Sequence, residues 1–182
     1  MRLFVALEPP AGVRAALADW AREAVGDDPE LRLVGCDALH LTLAFLGERP
    51  GADAGLLAPE LARALGRANP PRDAHALGAL WLAPRRPHVL TVAVADPSGE
   101  LGALRERVVA ACRTAIDWAP EPRAFSPHVT VARARRNLHV RPRELPELPR
   151  AARVPWMTGG VTLLRSRAGA VGAQYEALWG GY

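Results

Sequence analysis

Two short segments of this chain carry the residue types of acid–base chemistry in the same arrangement: Leu39-His40-Leu41-Thr42-Leu43 and Pro127-His128-Val129-Thr130-Val131. In each, His and Thr stand two residues apart between apolar neighbours. Side chains alternate across a β-strand, so His40 and Thr42 project from one face while Leu41 and Leu43 project from the other. The same holds for His128 with Thr130 and for Val129 with Val131. A His near its reference pKa of about 6.5 gives or takes a proton near neutral pH. Two of them across a cleft can act as a pair, one deprotonating an attacking hydroxyl or water, the other protonating the leaving oxygen. Phosphoryl transfer suits that arrangement, because in-line displacement sets the attacking and leaving oxygens on opposite sides of phosphorus. Each Thr hydroxyl can hydrogen-bond a non-bridging phosphate oxygen as charge develops. The two motifs are nearly symmetric, and by themselves they do not say which His is the acid.

Composition removes other chemistries. All 23 basic residues are Arg, and with no Lys there is no Schiff-base Lys, no phosphate-loop Lys and no adenylated Lys of a nucleotidyl-transfer ligase. The five His and two Cys have no zinc-like spacing and the acids form no two-metal cluster, so neither metal nor cofactor is expected. Cys36 and Cys112 sit in apolar surroundings without a Cys-x-x-Cys spacing and without a signal peptide, which reads as reduced thiols in a cytosolic core. No run approaches the roughly 18 apolar residues of a membrane span. A soluble, cytoplasmic monomer with no membrane partner is expected. Charge is uneven: residues 1 to 120 hold 13 Arg against 15 acids, residues 121 to 182 hold 10 Arg against 4. An anionic partner therefore belongs with the C-terminal third.

The elements that must position these residues are mixed. Helical spacing joins Leu101, Leu104, Val108, Cys112 and Ile116 after a capping Ser98; Val13, Leu17, Trp20 and Ala24 suggest a first helix. Leu57, Leu61, Ala64 and Leu65 suggest a weaker one, in which Pro59 is tolerable only in the first turn. Strand-like runs cover residues 2–8, 40–46, 75–83, 88–95, 127–133, 160–165 and 174–179. Residues 83–87 read as a hairpin loop, which favours antiparallel pairing, and 136–155 as a Pro- and Arg-rich connecting loop. With no linker in view, residues 1–182 read as one α+β domain of two pseudo-equivalent lobes.

The contexts His40-Leu41-Thr42-Leu43-Ala44-Phe45-Leu46-Gly47 and Ser126-Pro127-His128-Val129-Thr130-Val131-Ala132-Arg133 resemble the paired motifs of the two-histidine (2H) phosphoesterase superfamily. More narrowly, the chain resembles the LigT-like RNA 2',3'-cyclic phosphodiesterases, formerly called 2'-5' RNA ligases. The likeness extends to Arg2-Leu3-Phe4-Val5-Ala6-Leu7, Leu163-Leu164-Arg165-Ser166 and Tyr175-Glu176-Ala177-Leu178. It implies a bilobal fold of two antiparallel sheets lining a central cleft, helices outside, one motif from each lobe. It also implies hydrolysis of a terminal RNA 2',3'-cyclic phosphate to a 2'-phosphomonoester, with His40 as proton donor and His128 as proton acceptor.

Thr42 and Thr130 are expected on the phosphate. Arg133 matches a basic position of the second motif and can hold a phosphate bidentately. It stands five residues after His128, however, and faces that cleft only if a twist, a bulge or a strand end intervenes. Phe45, at the same offset from His40, is a candidate base-stacking platform. Arg165 and Arg167 are candidates for the RNA backbone. His75, His88 and His139 lack a Thr partner and read as structural or exposed, and Arg141, Arg143, Arg150 and Arg153 as solvated loop positions. ATP-independent 2'-5' ligation by reversal, a non-catalytic RNA-end binder, and turnover of a small cyclic nucleotide or ADP-ribose cyclic phosphate stay open as alternatives.

Overall fold

The computed structural model describes residues 1–66, 68–82, 87–135, 140, 144–169 and 173–181. Its strands are β1 (Arg2–Leu7), β2 (Leu31–Leu33), β3 (Leu41–Glu48), β4 (His75–Leu82), β5 (Val89–Ala95), β6 (His128–Ala134), β7 (Val161–Ala168) and β8 (Ala173–Gly181). The helices are α1 (Ala11–Val25), α2 (Asp53–Leu65), α3 (Glu100–Ala115) and the single turn α4 (Arg150–Arg153). All pairings between these strands are antiparallel, in the order β4-β5-β6-β3-β1-β7-β8 with β2 also on β6. The expected α+β architecture of antiparallel strands with helices outside is the one found, and the strands expected as two sheets are joined, among the described residues, in one eight-stranded sheet of two halves.

The halves are β4-β5-β6-β2 and β3-β1-β7-β8, and the strand register that joins them is one pair, Leu41 with Val129. Both side chains are fully buried. Around them, Val13, Leu17 and Trp20 of α1, Leu57, Leu61 and Leu65 of α2, and Leu101, Leu104 and Val108 of α3 join the inward residues of β1, β3, β5, β6 and β7 in one core. The helices thus cover one face of the sheet. On the other face of β1 and β7, Phe4, Ala6 and Leu164 form a small buried cluster, with Tyr175 against it. That face is where a cleft can open.

Several local expectations need correction. Helix α2 begins six residues before Pro59, so Pro59 lies inside it rather than in its first turn. Leu57 is fully buried beside Leu61 and Leu65, and the Arg49 guanidinium clamps Asp53 at 2.7 Å where the helix starts. Those contacts outweigh the lost hydrogen bond of a prolyl nitrogen. At α3 the chief cap is not Ser98: the Asp96 carboxylate accepts from the Leu101 and Gly102 amides at 3.0 and 2.8 Å. Ser98 Oγ accepts from the Glu100 amide at 3.3 Å and donates to Asp73, so it contributes to the cap without supplying its two shorter bonds. Strand β2 has only three residues, too few for a period to show. Residues 83–86 of the expected hairpin loop, 136–139 with His139, and Arg141 and Arg143 lie outside the described residues. Cys112 is buried, and burial pushes its thiol up to about 12, whereas Cys36 is only half-buried and lies outside the core. No helix among the described residues is long and apolar enough to cross a membrane.

Pro59 is exposed on α2. Replacing it by Ala restores a backbone donor and removes the ring's clash, so Pro59→Ala should stabilise the protein by about 1–3 kcal/mol. A denaturant midpoint checks this; an unchanged or lowered midpoint contradicts the account of α2.

Candidate active site

His40 is the residue before β3, and His128 opens β6. Because Leu41 pairs with Val129 in antiparallel register, His40 stands opposite Thr130 and Thr42 opposite His128. Leu41 and Val129 point into the helix-covered core, so all four chemically active side chains point to the open face. The two histidines are diagonal neighbours across the pair, a separation of about 7–8 Å in a regular sheet. One tetrahedral phosphate fits between them.

Each imidazole is held the same way. His40 Nδ1–H donates to the Ala38 carbonyl at 2.7 Å, and His128 Nδ1–H to the Ser126 carbonyl at 2.8 Å. A carbonyl only accepts, so Nδ1 carries the proton and Nε2 is the nitrogen left for chemistry. His75 makes the same contact to the Asp73 carbonyl at 3.0 Å but has no Thr beside it. The carbonyl bond alone is therefore no signature; the Thr two residues on is what separates the pair from His75.

The fifth position after each His is settled by a β-bulge. On β6, Thr130 pairs with Thr91 but Ala132 with Leu90, so Val131 is an extra residue against β5. Val131 and Ala132 are then both buried in succession, and Arg133 turns out beside His128 and Thr130. On β3 the same event occurs at the same place: Ala6 pairs with Thr42 but Val5 with Ala44, leaving Leu43 extra. Leu43 and Ala44 are both buried, and Phe45 emerges 40% exposed at the cleft. In both motifs the order from the residue after His is in, out, in, in, out.

The resulting cleft has two connected parts. A cavity of about 300 Å³ is lined by His40, Thr42, Arg2, Phe4, Ser166 and Tyr175. A larger one of about 690 Å³ includes His128, Thr130, His88, Trp118 and Phe125. Thr42, Phe45 and Arg133 line both, so they stand at the junction. A third hollow of about 480 Å³ continues past Arg133 and Tyr175 toward β2.

The two histidines do not share an environment. His40 is enclosed by aromatic rings, with Phe4 at 5.0 Å and Tyr175 edge-on at 5.2 Å between centroids. Burial lowers its pKa from the ordinary imidazole value; Arg133 and His128 add to the lowering, against the Ala38 carbonyl and Glu8. Arg133 is itself lowered by burial, while Arg2 and Arg32 press in the same direction and Tyr175 opposes them. It remains a guanidinium cation.

Arg2, Phe4, Ser166 and Tyr175 are the site residues that reading motifs alone does not place. Arg2 lies over the Phe45 ring, 4.9 Å from its centroid. Their signal is weak but present: on β1, Arg2 and Phe4 alternate with the buried Leu3 and Val5. Arg165 and Arg167 flank Ser166 on β7, so they point away from the face Ser166 shares with His40. Both pair with Glu176 of β8, Arg167 at 2.6 Å. His88 is exposed and lines the larger cavity. Arg150 and Arg153 form the ends of α4. Among the described residues no group of three or more His, Cys, Asp or Glu is placed to hold a metal ion.

Solved structures share this fold over the whole chain. TT0787 of Thermus thermophilus is 28% identical, with a TM-score of 0.78 over 99% of this chain and 96% of that one. E. coli LigT in complex with 3'-AMP is 25% identical, with a TM-score of 0.75 over 99% of this chain and 97% of that one. E. coli LigT in its apo form, at 24% identity and a TM-score of 0.76 over 99% and 96%, is alike in fold. No curated protein sequence matches this chain. The family model of the 2'-5' RNA ligase superfamily matches residues 8–170, a span that holds both His–Thr pairs, both bulges and Arg133. By that match and by the fold it shares with LigT, this chain is a LigT-like member of the 2'-5' RNA ligase superfamily, the two-histidine phosphoesterases.

Proposed function

We propose that this phosphoesterase-type enzyme hydrolyses RNA 2',3'-cyclic phosphodiester ends to 2'-phosphomonoesters without a metal ion. The observation that carries the reading is the pairing of Leu41 with Val129, which sets two His–Thr pairs diagonally across one face. A phosphate between them has one imidazole on each side. His128 Nε2 takes a proton from water as the water oxygen attacks phosphorus. The bond from phosphorus to the 3'-oxygen breaks, and His40 Nε2–H protonates that oxygen, leaving a 2'-phosphate and a 3'-hydroxyl. Proton exchange with solvent resets both rings. Thr42, Thr130 and Arg133 hold the non-bridging oxygens, and Phe45 stacks on the terminal base. Arg165 and Arg167, engaged with Glu176, stay outside the phosphate site in this reading. That LigT of E. coli is seen with 3'-AMP supports a nucleotide ligand. Ligation would use the same pair in the same roles, a 5'-hydroxyl replacing water as the group that His128 deprotonates while the 3'-oxygen again leaves; only cleavage of a 2'-5' linkage by the 3'-hydroxyl exchanges acid and base.

The acid role places a demand on His40. Burial favours its neutral form in the empty site. A phosphodiester anion set against it supplies the negative charge that Glu8 alone does not balance, so substrate binding raises its pKa and creates the acid.

Three outcomes follow on a 2',3'-cyclic-phosphate oligonucleotide. His40→Ala and His128→Ala should each lose roughly 10²–10⁴ in kcat/KM with the fold retained by circular dichroism, and the wild type should keep its rate in chelator. Full activity in either variant, or loss of activity in chelator, overturns the mechanism. By NMR, the His40 ring should titrate below the ordinary 6.5 in the free protein, because its charged form is the one burial disfavours. With a nucleoside 2'-monophosphate bound the same resonance should titrate higher; no upward movement contradicts the role given to His40.

A further inference from the structure

In the β2–β6 register Arg32 lies directly opposite Arg133 on the neighbouring strand, near enough for its charge to act on that guanidinium. Like charges in that relation repel. Several arginines elsewhere are matched to carboxylates, as with Arg14 and Glu8 at 2.6 Å, Arg49 and Asp53 at 2.7 Å, and Arg167 and Glu176 at 2.6 Å. Among the described residues no carboxylate pairs with Arg32, Arg133 or Arg2, and Arg2 adds a third cation beside Arg133. The arrangement is not slack: β2 is clamped to β6 by the Val34 amide on the Val131 carbonyl at 2.8 Å and by the Arg135 amide on the Glu30 carbonyl at 2.7 Å. The repulsion is built into the backbone.

One reacting phosphate does not relieve all of it. Arg133 reaches the junction of the two cavities that hold the histidines, but of these three spaces Arg32 lines the hollow of about 480 Å³ beyond it, with Val34, Cys36, Gln174 and Tyr175. Arg22, on the same wall, is already paired with Asp19 at 2.7 Å. The hollow is of a size that takes a small organic ligand, and among the described residues its own unpaired cation is Arg32.

We propose that this hollow is a second phosphate subsite, in which Arg32 binds the phosphate next along the substrate, one nucleoside away from the one that reacts. The inference rests on the cyclic-phosphodiesterase reading and adds what that enzyme selects: a terminal nucleotide that carries a second phosphate. Occupancy separates Arg32 and Arg133 by anionic charge on both sides and gives Arg32 the bidentate partner it lacks. The phosphate comes either from the internal phosphodiester of an RNA chain or from the nucleotide's own 5'-phosphate.

The test compares kcat/KM on a nucleoside 2',3'-cyclic phosphate, the same compound with a 5'-phosphate, and a dinucleotide ending in the cyclic phosphate. Wild type should favour a substrate with the second phosphate by roughly tenfold to a hundredfold. Arg32→Ala and the size-conserving Arg32→Gln should lose that gain and keep the rate on the simplest substrate, which also shows that they fold. Gain on the dinucleotide alone identifies the internal phosphodiester; gain on both admits either source, and each result supports the subsite. Equal rates on all three substrates in wild type, or a gain that survives both variants, overturns it. Calorimetry with adenosine 2'-monophosphate and adenosine 2',5'-bisphosphate gives a readout independent of turnover. Tighter binding of the bisphosphate, lost in Arg32→Ala, upholds the subsite even if no cyclic phosphate is cleaved, a result that would sink the catalytic reading alone; if neither the bisphosphate nor a dinucleotide ending in a 2'-phosphate binds more tightly than the monophosphate, the subsite is overturned.

Discussion

Leu41 and Val129 are apolar, fully buried and paired backbone to backbone, and the geometry of the site rests on that pair. Hydrophobic burial fixes which way the two side chains point, and the strand period then fixes the opposite direction for His40, Thr42, His128 and Thr130. Antiparallel pairing does the rest. It sets each His against the other motif's Thr, so that two near-identical segments become a two-sided site. A slip of one residue in this register would turn all four of these polar side chains into the core, a cost that burial of Leu43 and Val131 on the same face makes still larger.

Strand period alone accounts for half of the site. The other half depends on Leu43 and Val131, each an extra residue on its strand. Without these bulges Phe45 and Arg133 would fall on the core side, and a guanidinium buried there would be without compensation. With them, both emerge at the junction of the cleft. The bulges sit at equal offsets from His40 and His128, so the resemblance between the motifs extends to how each strand is bent. The contents differ: one delivers an aromatic ring and the other a cation. That difference, together with the enclosure of His40 by Phe4 and Tyr175, breaks the symmetry between two otherwise matched histidines.

What the sequence makes legible follows the same division. Alternation places the His–Thr pairs on one face because it is a local property of each segment. The odd offset of Arg133 reveals that a bulge is needed, but neither its position nor its counterpart at Leu43 can be read there, since a bulge is a mismatch with another strand. Nothing in Leu43 or Val131 as residue types announces it; neither is a Gly. Strand β2 escapes for a related reason: Leu31-Arg32-Leu33 is strand only because β6 has an edge to receive it, and with β2 goes any reason to notice Arg32. Pro59 misleads in the opposite direction, because a local helix breaker is overridden by the burial of Leu57, Leu61 and Leu65. Ser166 and Tyr175 belong to the site through long-range pairing of β7 with β1 and β8.

The central claim is that the paired histidines impose one line of attack and departure through phosphorus, so that only the 3'-oxygen leaves. The phosphate isomer formed from a 2',3'-cyclic-phosphate oligonucleotide, read by ³¹P NMR in the presence of chelator, tests this most directly. The account predicts the 2'-phosphomonoester alone. A 3'-phosphomonoester, or a mixture of the two, would contradict it, because either would mean that His40 and His128 do not fix which oxygen is opposite the attacking water.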